Sequence, residues 1–139
     1  MIEGAPDWRG QRCVVIASGP SLRRDDCDAV KAAGVRVISV SNSFKLCAPW
    51  ADLYFAGDRR YWSIYEPQMN DAGVPHLRKI TCCSWTAQNR NIRRVRAVNR
   101  PGLGLDVLHS GGNSGYMAIN LAFLAGCRDI ALLGFDCQD

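Results

Sequence analysis

The sequence lacks the signatures of membrane and secreted proteins. No apolar run in its 139 residues approaches the ~20 residues that a membrane helix needs. The first ten residues contain the acids Glu3 and Asp7 and no apolar core, unlike a signal peptide. A hydrophobic fraction of 47% and a charged fraction of 22% are typical of a soluble globular protein. We therefore expect one domain over residues 1–139, located in the cytoplasm, or in a host cytoplasm if the gene is viral.

The sequence also lacks the cysteine spacings of disulfide scaffolds and zinc sites. Its seven cysteines are an odd number and include no CxxC pair. Cys13, Cys82 and Cys127 lie in or beside apolar segments, where a free thiol behaves as a small hydrophobic group. Disulfides are rare in cytosolic proteins, and paired Cys/His ligand spacing is missing. We predict reduced, structural thiols and no zinc.

Two common phosphate-binding motifs are absent as well. The dinucleotide motif GxGxxG is missing because Gly19 is the only glycine in the first strand–helix turn. The P-loop motif GxxxxGK[ST] is missing too. These absences disfavour an NAD enzyme and a P-loop NTPase. No internal repeat, linker or low-complexity segment divides the chain.

What the sequence does contain is an alternation of strands and helices. Apolar or β-branched runs predict strands at 13–17, 35–40, 51–56, 76–83, 95–98 and 130–135. Asp25 and Asp26 in a first turn and Gly34 at the end predict a helix at 24–33, and helical periodicity predicts one at 114–125. A helix is also predicted at 60–69, with Pro67 expected to kink or shorten it. This alternation predicts an α/β fold with a doubly wound, mostly parallel Rossmann-like sheet. The last strand has no covering helix before Asp139, so we expect a chain truncated at its C-terminus, or a fragment.

Small polar residues follow the predicted strands at their carboxyl ends, which is where open α/β sheets bind ligands. Glycine turns that open a helix present N–H groups to anions. The same turns also fit a structural role, with Ser21 or Asp25, and Asn113 or Ser114, as helix caps. The candidate nucleotide-binding residues are Ser18, Gly19, Pro20, Ser21, Asn42, Ser43, Asn113, Ser114 and Gly115.

Two acids and one histidine are candidates for chemistry. Asp58 and Asp136 each follow a strand and suit either Mg²⁺ or a ribose hydroxyl, or alternatively a loop cap. His76 and His109 are the only histidines. His109 lies beside the glycine-bearing loop 101–113 and is the acid–base candidate, although a structural role fits it too.

The net charge of +4 is concentrated in one arginine cluster, formed by Arg90, Arg93, Arg94, Arg96 and Arg100. This cluster is either a solvated basic face or a surface that attracts phosphate on a ligand or a nucleic acid. No aromatic residue interleaves these arginines, so a surface for stacking single-stranded bases is not indicated. Nucleic acid is the least favoured partner. The residues leave open both a monomer and a homo-oligomer.

Three segments of the chain resemble a known group of proteins. They are VVIASGPSL at 14–22, Ser41-Asn42-Ser43, and GGNSGYMAINLAFLAGCRDIALLGFD at 111–136. They resemble the Rossmann-like bacterial sialyltransferases and the related family of motility-accessory glycosyltransferases and archaeal 6-hydroxymethyl-dihydropterin diphosphokinase. Short phage proteins resemble this group too. The similarity spans most of the chain, and the segment 111–136 is its most specific part.

The resemblance implies a role for each matched position. Gly19, Pro20 and Ser21 would contact the nucleotide first, and Asn42 would contact its base, sugar or phosphate. Asn113, Ser114 and Gly115 would contact its phosphate or ribose. The donor would be a CMP-sugar, as in the sialyltransferases, or a nucleoside triphosphate with Mg²⁺ held by Asp58 and Asp136.

The chain departs from the sialyltransferases in one respect. Their catalytic histidine lies beyond the last strand, where this sequence has ended, and His109 does not map onto it. The catalytic residues therefore stay unassigned.

We expect a nucleotide-binding transferase that moves a sugar or a diphosphate, with Arg59, Arg60 or the arginine cluster neutralising the leaving phosphate. The alternative is a non-catalytic accessory or morphogenetic binding module, such as one encoded by a phage.

Overall fold

The structure is a computed structural model that describes residues 2–136. Its strands, in chain order, are β1 Arg12–Ile16, β2 Arg36–Val40, β3 Leu53–Phe55, β4 Lys79–Thr81, β5 Arg93–Arg94, β6 Ala97–Val98, β7 Leu108–His109 and β8 Asp129–Leu133. Its helices are α1 Arg24–Ala33, α2 Phe44–Cys47, α3 Arg59–Asp71, α4 Ser84–Arg90 and α5 Ser114–Leu124. Short 3-10 turns occupy Ser41–Ser43 and His76–Arg78.

Six of the strands form one parallel sheet in the order β5-β4-β3-β2-β1-β8. Successive strands from β1 to β5 are added on one side, and the chain then returns to place β8 on the other side of β1. The point between β1 and β8 is therefore the topological switch point, where ligands of such sheets bind. β6 and β7 pair with each other in a separate two-stranded parallel sheet.

Helices cover both faces of the sheet. On one face, Val15 of β1 and Ile38 of β2 pack with Leu121 of α5. On the other face, Ile16 and Val37 pack with Trp62 of α3, as the alternation of side chains along a strand requires. This arrangement confirms the predicted doubly wound, Rossmann-like α/β fold.

Local sequence explains where the principal helices begin and end. The acids Asp25 and Asp26 lie in the first turn of α1, where the helix dipole favours them, and Gly34 ends that helix with φ 68°. Asp58 caps α3 and Asn113 caps α5, each accepting a hydrogen bond from a backbone N–H two or three residues ahead.

Several predicted boundaries were wrong. Residues 76–78 form a 3-10 turn rather than the start of a strand, so β4 is short. The predicted strand 95–98 is divided: the fifth strand of the main sheet is Arg93–Arg94, and Ala97–Val98 belongs to the small sheet. Pro67 does not shorten α3, which continues to Asp71. Helices α2 and α4 and strand β7 were not predicted.

Two further findings concern membrane-spanning helices and cysteines in the described part of the chain. No helix within residues 2–136 is long and apolar enough to cross a membrane. Each of the six cysteines among these residues is a free thiol. Burial raises the pKa of Cys47 to about 12, which keeps that thiol protonated and unreactive near neutral pH. Cys137 lies outside the described residues.

Candidate functional site

A cleft of about 1010 Å³ opens at the carboxyl ends of β1 and β8. We call it the first cleft. Its volume is in the range of small-molecule sites, roughly 300–1,000 Å³. One wall is polar and comes from the turns after β1 and before α5, and the other is apolar and comes from α5 and β8. The lining residues used below are Ser18, Gly19, Pro20, Ser21, Ser41, Asn113, Ser114, Gly115, Tyr116, Ile119, Leu132, Phe135 and Asp136.

The turn after β1 is fastened to the end of β8. The backbone N–H of Gly19 donates to the carbonyl oxygen of Gly134 at 2.9 Å. Both the backbone N–H of Ser21, at 2.7 Å, and its hydroxyl donate to the carboxylate of Asp136. These two hydrogen bonds from Ser21 lower the pKa of Asp136. The two donors of Ser21 are therefore already used within the protein, by the carboxylate of Asp136.

The turn after β1 and the end of β8 approach each other so closely here that glycine is required at both. A Cβ on Gly19 would lie 2.4 Å from the carbonyl oxygen of Gly134, and a Cβ on Gly134 would lie 2.4 Å from that of Ala17. Gly134 also has φ 76°, a backbone conformation that residues with a Cβ rarely adopt. The glycines thus set the distance between β1 and the end of β8 at the first cleft.

The first turn of α5 forms the rim between the polar and apolar walls. Asn113 Oδ1 accepts from the N–H of Tyr116 at 2.7 Å, and Ser114 Oγ accepts from the N–H of Gly57 at 3.0 Å. The backbone N–H groups of Ser114 and Gly115 have no partner among the described residues. Because helix N-termini carry partial positive charge, these two N–H groups can bind a phosphate or ribose oxygen.

A second cleft of about 820 Å³ adjoins the first on the far side of this turn. The two clefts share Asn113 and Ser114. The other lining residues are Gly57, Asp58, Asn99, Arg100, Pro101, Ser110, Gly111, Gly112 and Met117. Asp58 and Arg100 are the charged side chains among them.

The two candidate metal ligands lie in different clefts. Asp58 lines the second cleft, where its Oδ1 accepts from the N–H of Arg60 at 3.0 Å, and Asp136 lines the first. Asp58 is therefore a helix cap, although its Oδ2 makes no hydrogen bond within the described chain. Within residues 2–136 no group of three or more His, Cys, Asp or Glu side chains could hold a metal.

Asn42 and Ser43 do not line either cleft. Ser43 is buried, and its hydroxyl donates to the carbonyl oxygen of Ile16 at 2.8 Å and lies 2.7 Å from Ser39 Oγ. Asn42 Oδ1 is buried and has no hydrogen-bond partner among the described residues. Its neighbour Ser41 does line the first cleft, in a left-handed conformation with φ 50°. A non-glycine residue in this conformation is uncommon and stores strain beside the site.

His109 supports a loop rather than facing a cleft. Its Nδ1 lies 3.1 Å from the carbonyl oxygen of Pro101 and 3.2 Å from that of Gly102. The ring therefore stabilises the loop segment whose residues Arg100 and Pro101 line the second cleft. His76, the other histidine, has its Nε2 2.7 Å from the carbonyl oxygen of Asn91, at the edge of β5.

Asn120 is a positioning residue that sequence analysis missed. It is fully buried on α5, and its Oδ1 accepts from the N–H groups of Gly104 at 3.0 Å and His109 at 2.9 Å. Its Nδ2 donates to the carbonyl oxygen of Gly104 at 3.0 Å. The signal was available, because Asn120 is the one polar side chain in the apolar run 117–122 of the last helix.

The arginines singled out from the sequence are placed in different environments. Arg90 donates to Glu66 Oε1 at 2.9 Å, and Glu66 Oε2 accepts from the buried Lys79 at 2.9 Å. Arg59 stacks over the ring of Trp85, with its guanidinium carbon 3.4 Å from the ring centroid. Arg93 and Arg94 are exposed on β5. Arg100 lines the second cleft without an ion pair or side-chain hydrogen bond to any described residue.

Comparison with known proteins identifies no relative: no family model, no curated protein and no solved structure matches this chain. The resemblance carried by the sequence motifs therefore stays a prediction.

Proposed function

We propose that this chain binds a nucleotide or nucleotide-sugar in the first cleft and is a transferase-like domain of the glycosyltransferase or diphosphokinase kind. The observation that carries the proposal is the position of the cleft. It lies at the switch point between β1 and β8, and the unpaired N–H groups of Ser114 and Gly115 face this end of the sheet.

The two walls of the first cleft suit the two parts of a nucleotide. Ile119, Leu132 and Phe135 offer apolar surface to a base, and Tyr116 adds an aromatic ring. The turn of Ser18 and the start of α5 offer hydroxyl and N–H donors to a ribose or phosphate. The Asp136 carboxylate, held by Ser21, is placed to accept from a ribose hydroxyl with its remaining lone pairs.

Catalysis in such a domain would come from positioning a donor and an acceptor and from stabilising the leaving phosphate. Mg²⁺, which prefers one or two carboxylates together with ligand phosphates, would be held by Asp58 through the Oδ2 that is not used in capping α3. Asp136 fits a metal less well because Ser21 already donates to both of its oxygens.

A second candidate function is a non-catalytic binding module. It is favoured by the environment of His109, whose Nδ1 is directed at the loop carbonyls of Pro101 and Gly102 rather than into a cleft. Such a module would bind the same nucleotide without turning it over.

A thermal-shift panel tests nucleotide binding. CMP, CTP, ATP, GTP and a CMP-sugar are added with and without Mg²⁺. A ligand at one hundred times its Kd stabilises the folded state by about 2.7 kcal/mol and so raises the Tm by several degrees. The blocking variant is Leu132→Glu, which adds a carboxylate to the first cleft at a half-exposed edge position. Its matched control is Leu77→Glu, at an exposed leucine outside both clefts.

We expect one nucleotide to raise the Tm of the wild type and of Leu77→Glu but not of Leu132→Glu. If no nucleotide raises the Tm, or if both variants respond alike, the first cleft is not the nucleotide site. Release of CMP from the CMP-sugar, or of AMP from ATP, then distinguishes the two candidate functions. Nucleotide binding with turnover supports the transferase. Nucleotide binding without turnover, tested with several classes of donor and acceptor, supports the accessory module.

A further inference from the structure

The two clefts differ in charge. The residues that line the first cleft include the carboxylate of Asp136 and no lysine or arginine. The second cleft has the guanidinium of Arg100, together with Asp58. A phosphate that remained in the first cleft would meet N–H groups and hydroxyls but no cation, and it would lie near a carboxylate.

We propose that the second cleft is the subsite for a phosphate or diphosphate group and that Arg100 is the residue that binds it. The proposal rests on the proposed function in one respect: the group would belong to a nucleotide whose base and sugar lie in the first cleft. Asn113 and Ser114, which line both clefts, mark the passage from one to the other.

The position and the unpaired state of Arg100 distinguish it from Arg59, Arg60 and Arg90. Arg90 is held in an ion pair with Glu66, and Arg59 is stacked on Trp85. Neither residue lines a cleft, and neither does the exposed Arg60. Arg100 is exposed, unpaired within the described chain, and part of the cleft wall. Its planar guanidinium can donate two parallel hydrogen bonds to a phosphate, a geometry that lysine does not offer.

The backbone around Arg100 keeps it at the cleft. The N–H of Arg100 and the N–H of Ser110 both donate to the carbonyl oxygen of Val98, at 3.0 and 2.9 Å. The carbonyl oxygen of Val98 therefore joins the start of the loop 99–107 to the chain that follows β7. Gly111 and Gly112 complete the wall. Gly111 packs against the ring of Tyr116, whereas Gly112 has open space where a side chain would lie, so its backbone is accessible to a ligand.

Asp58 makes the second cleft selective. Without Mg²⁺ its carboxylate would repel a second anion on its side of the cleft, and its free Oδ2 can then accept from a hydroxyl. The chemistry of this cleft therefore suits one phosphate or diphosphate group beside Arg100 with a hydroxyl-bearing group beside Asp58. Without Mg²⁺ on Asp58 it does not suit a chain of many phosphates.

Calorimetric titration with inorganic pyrophosphate tests the subsite without a nucleotide. It is run on the wild type, Arg100→Gln and Arg93→Gln. The last is the matched control, because it removes the same charge from an exposed arginine on β5 outside both clefts. We expect Arg100→Gln to weaken pyrophosphate binding about tenfold or more, as expected for lost hydrogen bonds to a charged group. Arg93→Gln should change it by less than about twofold, through long-range charge alone.

A second titration compares cytidine with CDP and adenosine with ADP. Arg100→Gln should weaken the diphosphate and leave the nucleoside unchanged. The proposal is overturned if wild-type protein binds neither pyrophosphate nor a nucleoside diphosphate. It is also overturned if Arg100→Gln and Arg93→Gln weaken binding equally. If pyrophosphate binds through Arg100 but neither nucleoside nor nucleotide adds affinity, the subsite stands and the nucleotide function fails.

Discussion

Ser21 and Asp136 are 115 residues apart in sequence and joined by two hydrogen bonds, one from the backbone N–H at 2.7 Å and one from the hydroxyl of Ser21. The pair connects the turn after β1 to the chain after β8, the two strands that flank the switch point. It therefore holds together the two sides of the first cleft.

Asp136 gives the stability of the protein a dependence on acid pH. The hydrogen bonds from Ser21 lower the pKa of the folded carboxyl below its ordinary value. A depressed folded pKa contributes stability above the unfolded pKa, about 4, and this contribution is lost as the pH falls through the folded pKa. We predict that Asp136→Asn lowers the Tm at pH 7 and that the difference from wild type shrinks below pH ~4.

The hydrogen bonds between Ser21 and Asp136 can also be tested by substituting Ser21. In Ser21→Ala the hydroxyl donor is gone, so the pKa of Asp136 measured by NMR should rise toward the ordinary value for an aspartate. An unchanged pKa in this variant would show that the Ser21 hydroxyl does not bind the carboxylate in solution.

Alanine substitutions at Gly134 and Gly34 distinguish the cost of backbone strain from the cost of steric overlap. Both have positive φ, 76° and 68°, but only Gly134 has a neighbour within 4 Å of where a Cβ would lie, the carbonyl oxygen of Ala17 at 2.4 Å. Gly34→Ala should cost about 1 kcal/mol from conformation alone. Gly134→Ala should cost about 3 kcal/mol or more because β1 and β8 must also move apart. Urea unfolding of the two variants measures the difference, and equal losses would contradict the close contact.

Asn120 should be the most sensitive polar residue of α5. Its replacement by alanine leaves the N–H groups of Gly104 and His109 without their acceptor, at a cost of about 1–3 kcal/mol for each buried donor that finds no water. We expect Asn120→Ala to lower the free energy of unfolding and to speed hydrogen exchange at these two amides. Asn89→Ala is the control, because Asn89 is exposed and donates only to a carbonyl within its own helix. Equal effects in the two variants would exclude a special role for Asn120.

The ion pair between Lys79 and Glu66 lies beneath α3. Lys79 is 1% exposed, and its ammonium lies 2.9 Å from Glu66 Oε2 and 2.5 Å from Asn70 Oδ1. Burial raises the pKa of Glu66, but the hydrogen bonds and charges of Lys79 and Arg90 outweigh burial and lower it overall.

We predict that Glu66→Gln destabilises the protein by about 3 kcal/mol at pH 7, because it leaves the Lys79 ammonium buried beside a neutral amide. The wild type should lose this stability as the pH falls through the depressed pKa of Glu66, and the variant should not. Unfolding curves between pH 3 and pH 7 compare the two. A constant difference across that range would show that the charge of Glu66 is not involved.

The sequence predicted the sheet where hydrophobic patterning was strong. Hydrophobic patterning records burial against a core, as it does at β1, β2 and α5. The apolar run of β8 also predicted a strand, although its side chains are exposed or only partly buried. Other edge elements were missed because they lack such a run. β5 consists of two exposed arginines, so it carries no apolar signal, and its place in the sheet depends on pairing with β4. Helix α4 is likewise short and mostly polar.

The sequence pointed to the strand ends as the candidate site but not to the contacts made there. Strand ends converge in any parallel sheet, so the positions of Ser18, Ser21, Asn113 and Asp136 could be expected. That Asp136 would bind Ser21, that Ser43 would turn inward to Ile16, and that Arg100 would remain unpaired could not. Each depends on contacts between residues far apart in the chain, which no local pattern encodes.

Helix α5 is fastened at two levels, at Ser114 to Gly57 beside the end of β3, and at Asn120 to the loop that carries Arg100. Its first turn is the common wall of both clefts, so any displacement of that turn changes the two volumes together. Occupants of the two clefts would therefore influence each other through one rigid body. Thermodynamic linkage makes such coupling equal in both directions: if an occupant of one cleft changes the affinity of the other cleft by some factor, an occupant of the other cleft changes the affinity of the first by the same factor.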